Sequence, residues 1–175
     1  MKKAIVVVDM INDFVTGKLG GPRAQKIVPN VAALLKKGRK LGIPVIYLRD
    51  SHTPSDKEMG IWGEHAMKGT QGSEIIPELK PEKTDVVIEK RWYSGFVDTK
   101  LPETLKKTGA DTLVLVGVST DICVQNNVAH AYFSGYKTIV PDDCTASIDE
   151  ESYEQSLKYM KNIYGTEIMK SDSVL

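Results

Sequence analysis

Cysteine is scarce in this chain, with only Cys123 and Cys144 among 175 residues. Two thiols without a framework spacing exclude a disulfide-stapled scaffold and fit a reducing cytoplasm, where a thiol stays free for chemistry. Net charge is missing as well, since 23 basic side chains cancel 23 acidic ones and neither sign gathers into a block. That balance removes the electrostatic footprint expected of a protein that binds nucleic acid or an anionic membrane. Long apolar runs are also lacking. The opening "MKKAIVVVDM" starts like a leader, but its apolar run of five residues stops at Asp9, so it reads as a strand. No later stretch approaches the length needed to cross a bilayer. Repeats, low-complexity tracts and linkers are absent, and the length suits one well-cored domain over residues 1–175.

What the chain does have is an alternation. Six near-continuous apolar runs, "AIVVVDM", "PVIYLRD", "DVVIEK", "TLVLVGV", "KTIVPDD" and "TEIMK", have the pattern of strands buried on both faces. Between them, "VPNVAALLKKGRKLG", "KLPETLKKTG", "DICVQNNVAHAYFSG" and "DEESYEQSLKYMKNIYG" read as helices, each ending at a glycine suited to a left-handed cap. Strand and helix in alternation predict an α/β fold, a three-layer doubly wound parallel sheet. Residues 51–72 fit neither period and read as a long functional loop.

In an open parallel sheet, ligands bind beyond the carboxyl ends of the strands. Asp9, Asp50, Lys90, Arg91 and the turn from Ser119 to Cys123 all follow apolar runs, so they are expected on one rim. Thr120 or Asp121 is a suitable N-cap for the following helix, which puts Cys123 in its first turn, where the helix dipole favours a thiolate. Lys90 nearby would lower the thiol pKa further. Asp9 could then take the thiol proton and return it to a leaving amine, with backbone N–H groups of the turn receiving an oxyanion. Position alone, however, favours the plainer role of a buried hydrophobe for Cys123, and more so for Cys144. His130, seven residues beyond Cys123, suits a core or interface position. Asp50, His52 and His65 can make a metal site for Zn, Fe or Mn, although loop histidines more often simply face solvent. Trp62 can wall a pocket or cover the loop.

Taken together, "VVVDMINDF", "VIEKRWYSGF" and "GVSTDICV" resemble the isochorismatase-like cysteine hydrolases, the superfamily that holds nicotinamidases and N-carbamoylsarcosine amidases. The resemblance spans nearly the whole chain. It implies a catalytic triad of Asp9, Lys90 and Cys123, and an oxyanion hole from the N–H groups of Ser119 and Cys123. It also implies a cis peptide between Val118 and Ser119 and pocket walls at Phe14 and Trp62. No organic cofactor is implied, and Asp50, His52 and His65 coincide with the nicotinamidase metal ligands, so one divalent ion is a candidate. The implied reaction releases ammonia from a small amide or carbamoyl substrate through a thioester. The tract "WGEH" followed by Ala66, and the short interval from Lys90 to "YSGF", place the chain nearer the N-carbamoylsarcosine amidase branch than nicotinamidase. Arg91 is a candidate partner for a substrate carboxylate. The rivals are an isochorismatase-type vinyl ether hydrolase, in which Cys123 is incidental, and an idle small-ligand-binding protein. A homo-oligomer is expected by resemblance, with "AHAYF" a candidate contact.

Overall fold

A computed structural model covers residues 1–175. The six apolar runs form strands β1 (Lys3–Val8), β2 (Val45–Asp50), β3 (Val86–Lys90), β4 (Thr112–Val118), β5 (Lys137–Pro141) and, after a two-residue β6 (Thr145–Ala146), β7 (Glu167–Met169). All pairings are parallel, in the order β3-β2-β1-β4-β5-β7, with β6 beside the end of β4. The four long amphipathic segments give α2 (Pro22–Lys40), α4 (Leu101–Thr108), α5 (Gln125–Phe133) and α6 (Glu150–Tyr164), and short helices α1 (Asn12–Val15) and α3 (Met59–Trp62) lie in the connections. The four glycines after the long helices, Gly42, Gly109, Gly135 and Gly165, all have positive φ. No helix is long and apolar enough to cross a membrane.

Strand periodicity divides the core. Ile5 and Val7 of β1 face a layer containing Ile27, Val31 and Leu34 of α2, whereas Ala4, Val6 and Val8 face Leu105 of α4, Val128 of α5 and Met160 of α6. Helices therefore cover both faces of the sheet. One strand departs from the expected pattern: β3 lies at the sheet edge, where Val86 and Val87 remain 39% and 43% exposed. The apolar run of β3 marks a strand, but edge position limits what it buries. At the end of α5, Tyr132 and Phe133 of "AHAYF" are exposed.

The junction of β1 and β4 sets the site's floor. Gly117 sits beside Val8 in register with φ +113, and an added Cβ would lie 2.0 Å from the Val8 carbonyl oxygen. Only glycine allows that approach. Gly117→Ala should destabilise the protein by about 3 kcal/mol or more, measured by urea denaturation; a loss below about 1 kcal/mol would show that the strands can part without cost.

Candidate active site

The carboxyl ends of β1, β2, β3 and β4 converge. Asp9, directly after β1, has φ +53, a conformation uncommon outside glycine, and the bend is pinned on both sides. The Asp9 N–H donates to Leu48 O at 2.9 Å, and the Asp9 carbonyl accepts from Ile11 N–H at 2.8 Å. Its side chain accepts from the Asp50 backbone N–H at 2.9 Å. Asp50 and Lys90 are register partners at the ends of β2 and β3. Lys90 is 1% exposed, and its Nζ lies 2.8 Å from Asp9 Oδ2, 2.5 Å from Asp50 Oδ1 and 3.7 Å from Cys123 Sγ.

Charge and burial set the protonation states. Burial opposes the Lys90 ammonium, but Asp50, Asp9 and Cys123 outweigh it and hold its pKa well above 10.5. Burial likewise opposes ionisation of Asp50, yet Lys90 and His52 bring its pKa below the usual value. Asp9 goes the other way: burial, then the Asp50 charge, raise it to about 7 despite Lys90. The Cys123 thiol is pushed well above 9, chiefly by burial, with Asp9 and Asp50 adding to the rise and Lys90 opposing it. This corrects the expected thiolate. In the resting site the thiol keeps its proton, with an oxygen of Asp9, itself poised near neutrality, within 4.8 Å of the sulfur.

The cysteine turn also differs in detail. Residues Thr120–Val124 form a π-turn leading into α5, with Ser119 at its N-cap and no side-chain capping bond. Neither Thr120 nor Asp121 caps it, because Thr120 Oγ1 pairs with Thr145 Oγ1 at 2.8 Å and Asp121 accepts from Ser119 Oγ. The Val118–Ser119 peptide is cis, and the Ser119 N–H donates to no protein acceptor. Asn127, buried on α5, fixes the turn to the segment after β3: Nδ2 donates to Cys123 O and Tyr93 O, and Oδ1 accepts from Gly95 N–H.

Asp50, His52 and His65 are joined by Glu58, with one ligand atom from each lying within 4.8 Å of the others. Both imidazoles are prepared for a cation. His52 Nδ1 meets Asp56 Oδ2 at 3.0 Å and His65 Nδ1 meets the Gly63 carbonyl at 2.7 Å, so each ring directs its Nε2 towards Glu58, at 3.7 and 3.9 Å. His52 Nε2 is buried without a hydrogen-bond partner. An orphaned buried nitrogen, two oriented imidazoles and two carboxylates fit a divalent ion of the Zn, Fe or Mn type. Burial and Asp50 raise Glu58 to about 7, a shift that such a cation would reverse. The residues carrying these groups are tied to α1. Asp13 Oδ2 accepts from Ala66 N–H at 2.7 Å, and Asn12 Nδ2 donates to Gln71 O and Glu74 O.

A cavity of about 430 Å³ opens above Cys123 and is also lined by Asp50, Glu58 and His65. Phe14, Trp62 and Tyr93 line it, with Trp62 Nε1 donating to the Tyr93 hydroxyl at 3.1 Å. Arg91 is not among its lining residues. Its Nε contacts both Asp56 oxygens at 2.9 and 3.1 Å, and it lines a separate polar cavity. Cys144 is buried in the core and His130 Nδ1 lies 3.1 Å from the Asn126 carbonyl oxygen. Glu58 and Tyr93 were not anticipated from the sequence; the only available hint for Glu58 was its place between two histidines on one loop.

Fold and site together define a parallel-sheet α/β protein with a cysteine at the foot of its cavity. A family profile described as the isochorismatase domain matches residues 3–173, and the chain belongs to the isochorismatase family. Among solved structures it is similar to an N-carbamoylsarcosine amidase from Thermoplasma acidophilum, at 42% identity and TM-score 0.94 over 99% of both chains. A pyrazinamidase from Pyrococcus horikoshii in complex with zinc has 30% identity and TM-score 0.89, covering 97% of this chain and 99% of that one. Nicotinamidase 3 of Arabidopsis thaliana is 34% identical over 160 residues, 88% of this chain and 78% of that protein. The family is one of hydrolases, and these relatives include amidases that act on C–N bonds.

The donor set predicts that metal-stripped protein takes up about one equivalent of zinc, read by elemental analysis after dialysis. His52→Ala should abolish uptake, and Glu58→Gln should weaken it. No uptake by the unaltered protein would show that the four side chains serve each other rather than an ion.

Proposed function

We propose that the protein is a cysteine amidohydrolase that releases ammonia from a small carbamoyl or amide compound, in the manner of an N-carbamoylsarcosine amidase. The observation that carries this reading is the buried Lys90 ammonium, 2.8 Å from Asp9 and 3.7 Å from the sulfur of Cys123, which lines the cavity. The likeness to the Thermoplasma amidase supports the choice of substrate class.

The proposed sequence begins with transfer of the Cys123 proton to Asp9 as the sulfur adds to the substrate carbonyl. Lys90 stabilises the growing thiolate charge, and a pKa near 7 suits Asp9 to accept a proton and then give it up. The carbonyl electron pair moves onto oxygen, which accepts from the Ser119 and Cys123 N–H groups. The C–N bond then breaks, its electrons stay with nitrogen, and Asp9 donates the proton that lets ammonia leave. Asp9 next takes a proton from water as that water attacks the acyl-sulfur carbon, and as the C–S bond breaks Asp9 passes that proton to the departing sulfur. Phe14, Trp62 and Tyr93 shield the intermediate. Asp50, His52, Glu58 and His65 would hold a divalent ion, which supplies Lewis-acid chemistry when bound.

The four-donor cluster favours a second reading, a nicotinamidase, because the pyrazinamidase relative was determined with zinc. Ammonia release from N-carbamoylsarcosine and nicotinamide, measured side by side with and without chelator, separates the two. We expect release from the carbamoyl compound that persists with chelator. Chelator-sensitive release from nicotinamide alone would transfer the assignment to nicotinamidase. Cys123→Ala should remove turnover while leaving the fold intact by circular dichroism, and Asp9→Asn should lower kcat by about a hundredfold or more. Undiminished ammonia release by Cys123→Ala would remove the nucleophile assignment.

A further inference from the structure

The expected carboxylate-binding residue, Arg91, is committed to Asp56 outside the cavity, but another arginine lines it. Arg23, in the first turn of α2, is the only lysine or arginine among the cavity's lining residues. Its guanidinium is held in place: Nε donates to Ser147 O at 3.1 Å, Nη1 meets Glu150 Oε2 at 2.5 Å, and Cζ lies 5.7 Å from the centre of the Tyr153 ring. Nη2 has no partner within the protein. Ser147, which orients Arg23, lines the same cavity, so the anchored end of the guanidinium is at the cavity wall.

Charge makes the placement selective. The acidic side chains of the wall, Asp50 and Glu58, come from the end of β2 and from the loop after it, beside His65. Those groups hold a cation or one another, so the only guanidinium or ammonium the wall offers an acidic substrate is Arg23, at the start of α2. We infer that Arg23 is a specificity-determining residue that binds the carboxylate of a carbamoyl amino acid while the carbamoyl carbon lies over Cys123. This rests on the amidohydrolase reading and extends it by selecting anionic ureido acids over neutral ureas and amides. A planar, always-charged fork already fixed in place suits a carboxylate, since little side-chain freedom is lost on binding. Glu150 both positions Arg23 and competes for it. At 60% side-chain exposure it can yield to a substrate oxygen.

That competition gives a test in which the two partners must move in opposite directions. Binding of N-carbamoylglycine and of uncharged N-propylurea is measured by calorimetry on Cys123→Ala protein, which cannot turn them over. The readout is the ratio of the two dissociation constants. Arg23→Gln should reduce the preference for the acid by about tenfold or more. Glu150→Gln should increase it, because the guanidinium loses a rival carboxylate. If the pair only braces α2 against α6, both substitutions change the ratio alike or leave it unchanged, which overturns the inference. Equal affinity of the starting protein for the two ligands overturns it as well. Turnover of carbamoyl acids by the unaltered enzyme is scored separately, so failure of the amidohydrolase reading is told apart from failure of Arg23 as its selector.

Discussion

A fully buried lysine sets the terms for everything around it. Removing an ammonium from water costs several kcal/mol, and it is tolerated only where opposite charges and hydrogen bonds replace the lost hydration. Here Asp50 and Asp9 replace it, at 2.5 and 2.8 Å. Three ionisable groups from three adjacent parallel strands are thereby fixed at one point of the rim. The sulfur of a fourth strand's turn lies 3.7 Å from the same nitrogen. Burial first, and then the Asp50 charge that one shared cation does not cancel, raise the Asp9 pKa to about 7. The arrangement therefore produces a base near neutrality next to a protonated thiol, instead of the free thiolate that a lysine and a helix dipole acting alone would make.

Asp50 joins two halves of the site. One oxygen meets Lys90, and the other lies 3.5 Å from His52 Nε2, within the four-donor group completed by Glu58 and His65. Charge placed on the histidine side is felt by Asp50 and through it by Lys90. The loop carrying His52 and His65 is held by Asp56, Asn12 and Asp13, so its length does not leave the ligands loosely placed.

Much of this was legible in the sequence because it follows from periodicity and strand ends. Six apolar runs became six parallel strands, and the residues following them supplied Asp9, Asp50, Lys90 and Cys123. The motif resemblance identified the same residues. What escaped was set by tertiary contacts that no period encodes. Glu58 and Tyr93 approach the cavity from loops, and Arg23 enters it from the first turn of a helix whose pattern reports only on its core face. Arg91 shows the converse error. Nearness to Lys90 in sequence suggested a shared target, whereas the Asp56 carboxylate holds it outside the substrate cavity. The thiol's raised pKa also depended on burial, a quantity fixed only once α5 and the sheet had packed.

The central claim is that Lys90 neutralises two carboxylates that could not otherwise stay ionised beside Cys123. Its direct test is the pH dependence of stability of Lys90→Met compared with the unaltered protein, by urea denaturation. Without the ammonium, both aspartates have folded-state pKa values raised above their unfolded values. Stability held by their protonated forms is then complete below the unfolded pKa and is lost as pH rises through the folded ones. The account predicts a deficit of about 3–5 kcal/mol at neutral pH that shrinks on acidification. A deficit that is small, or the same at every pH, would contradict it.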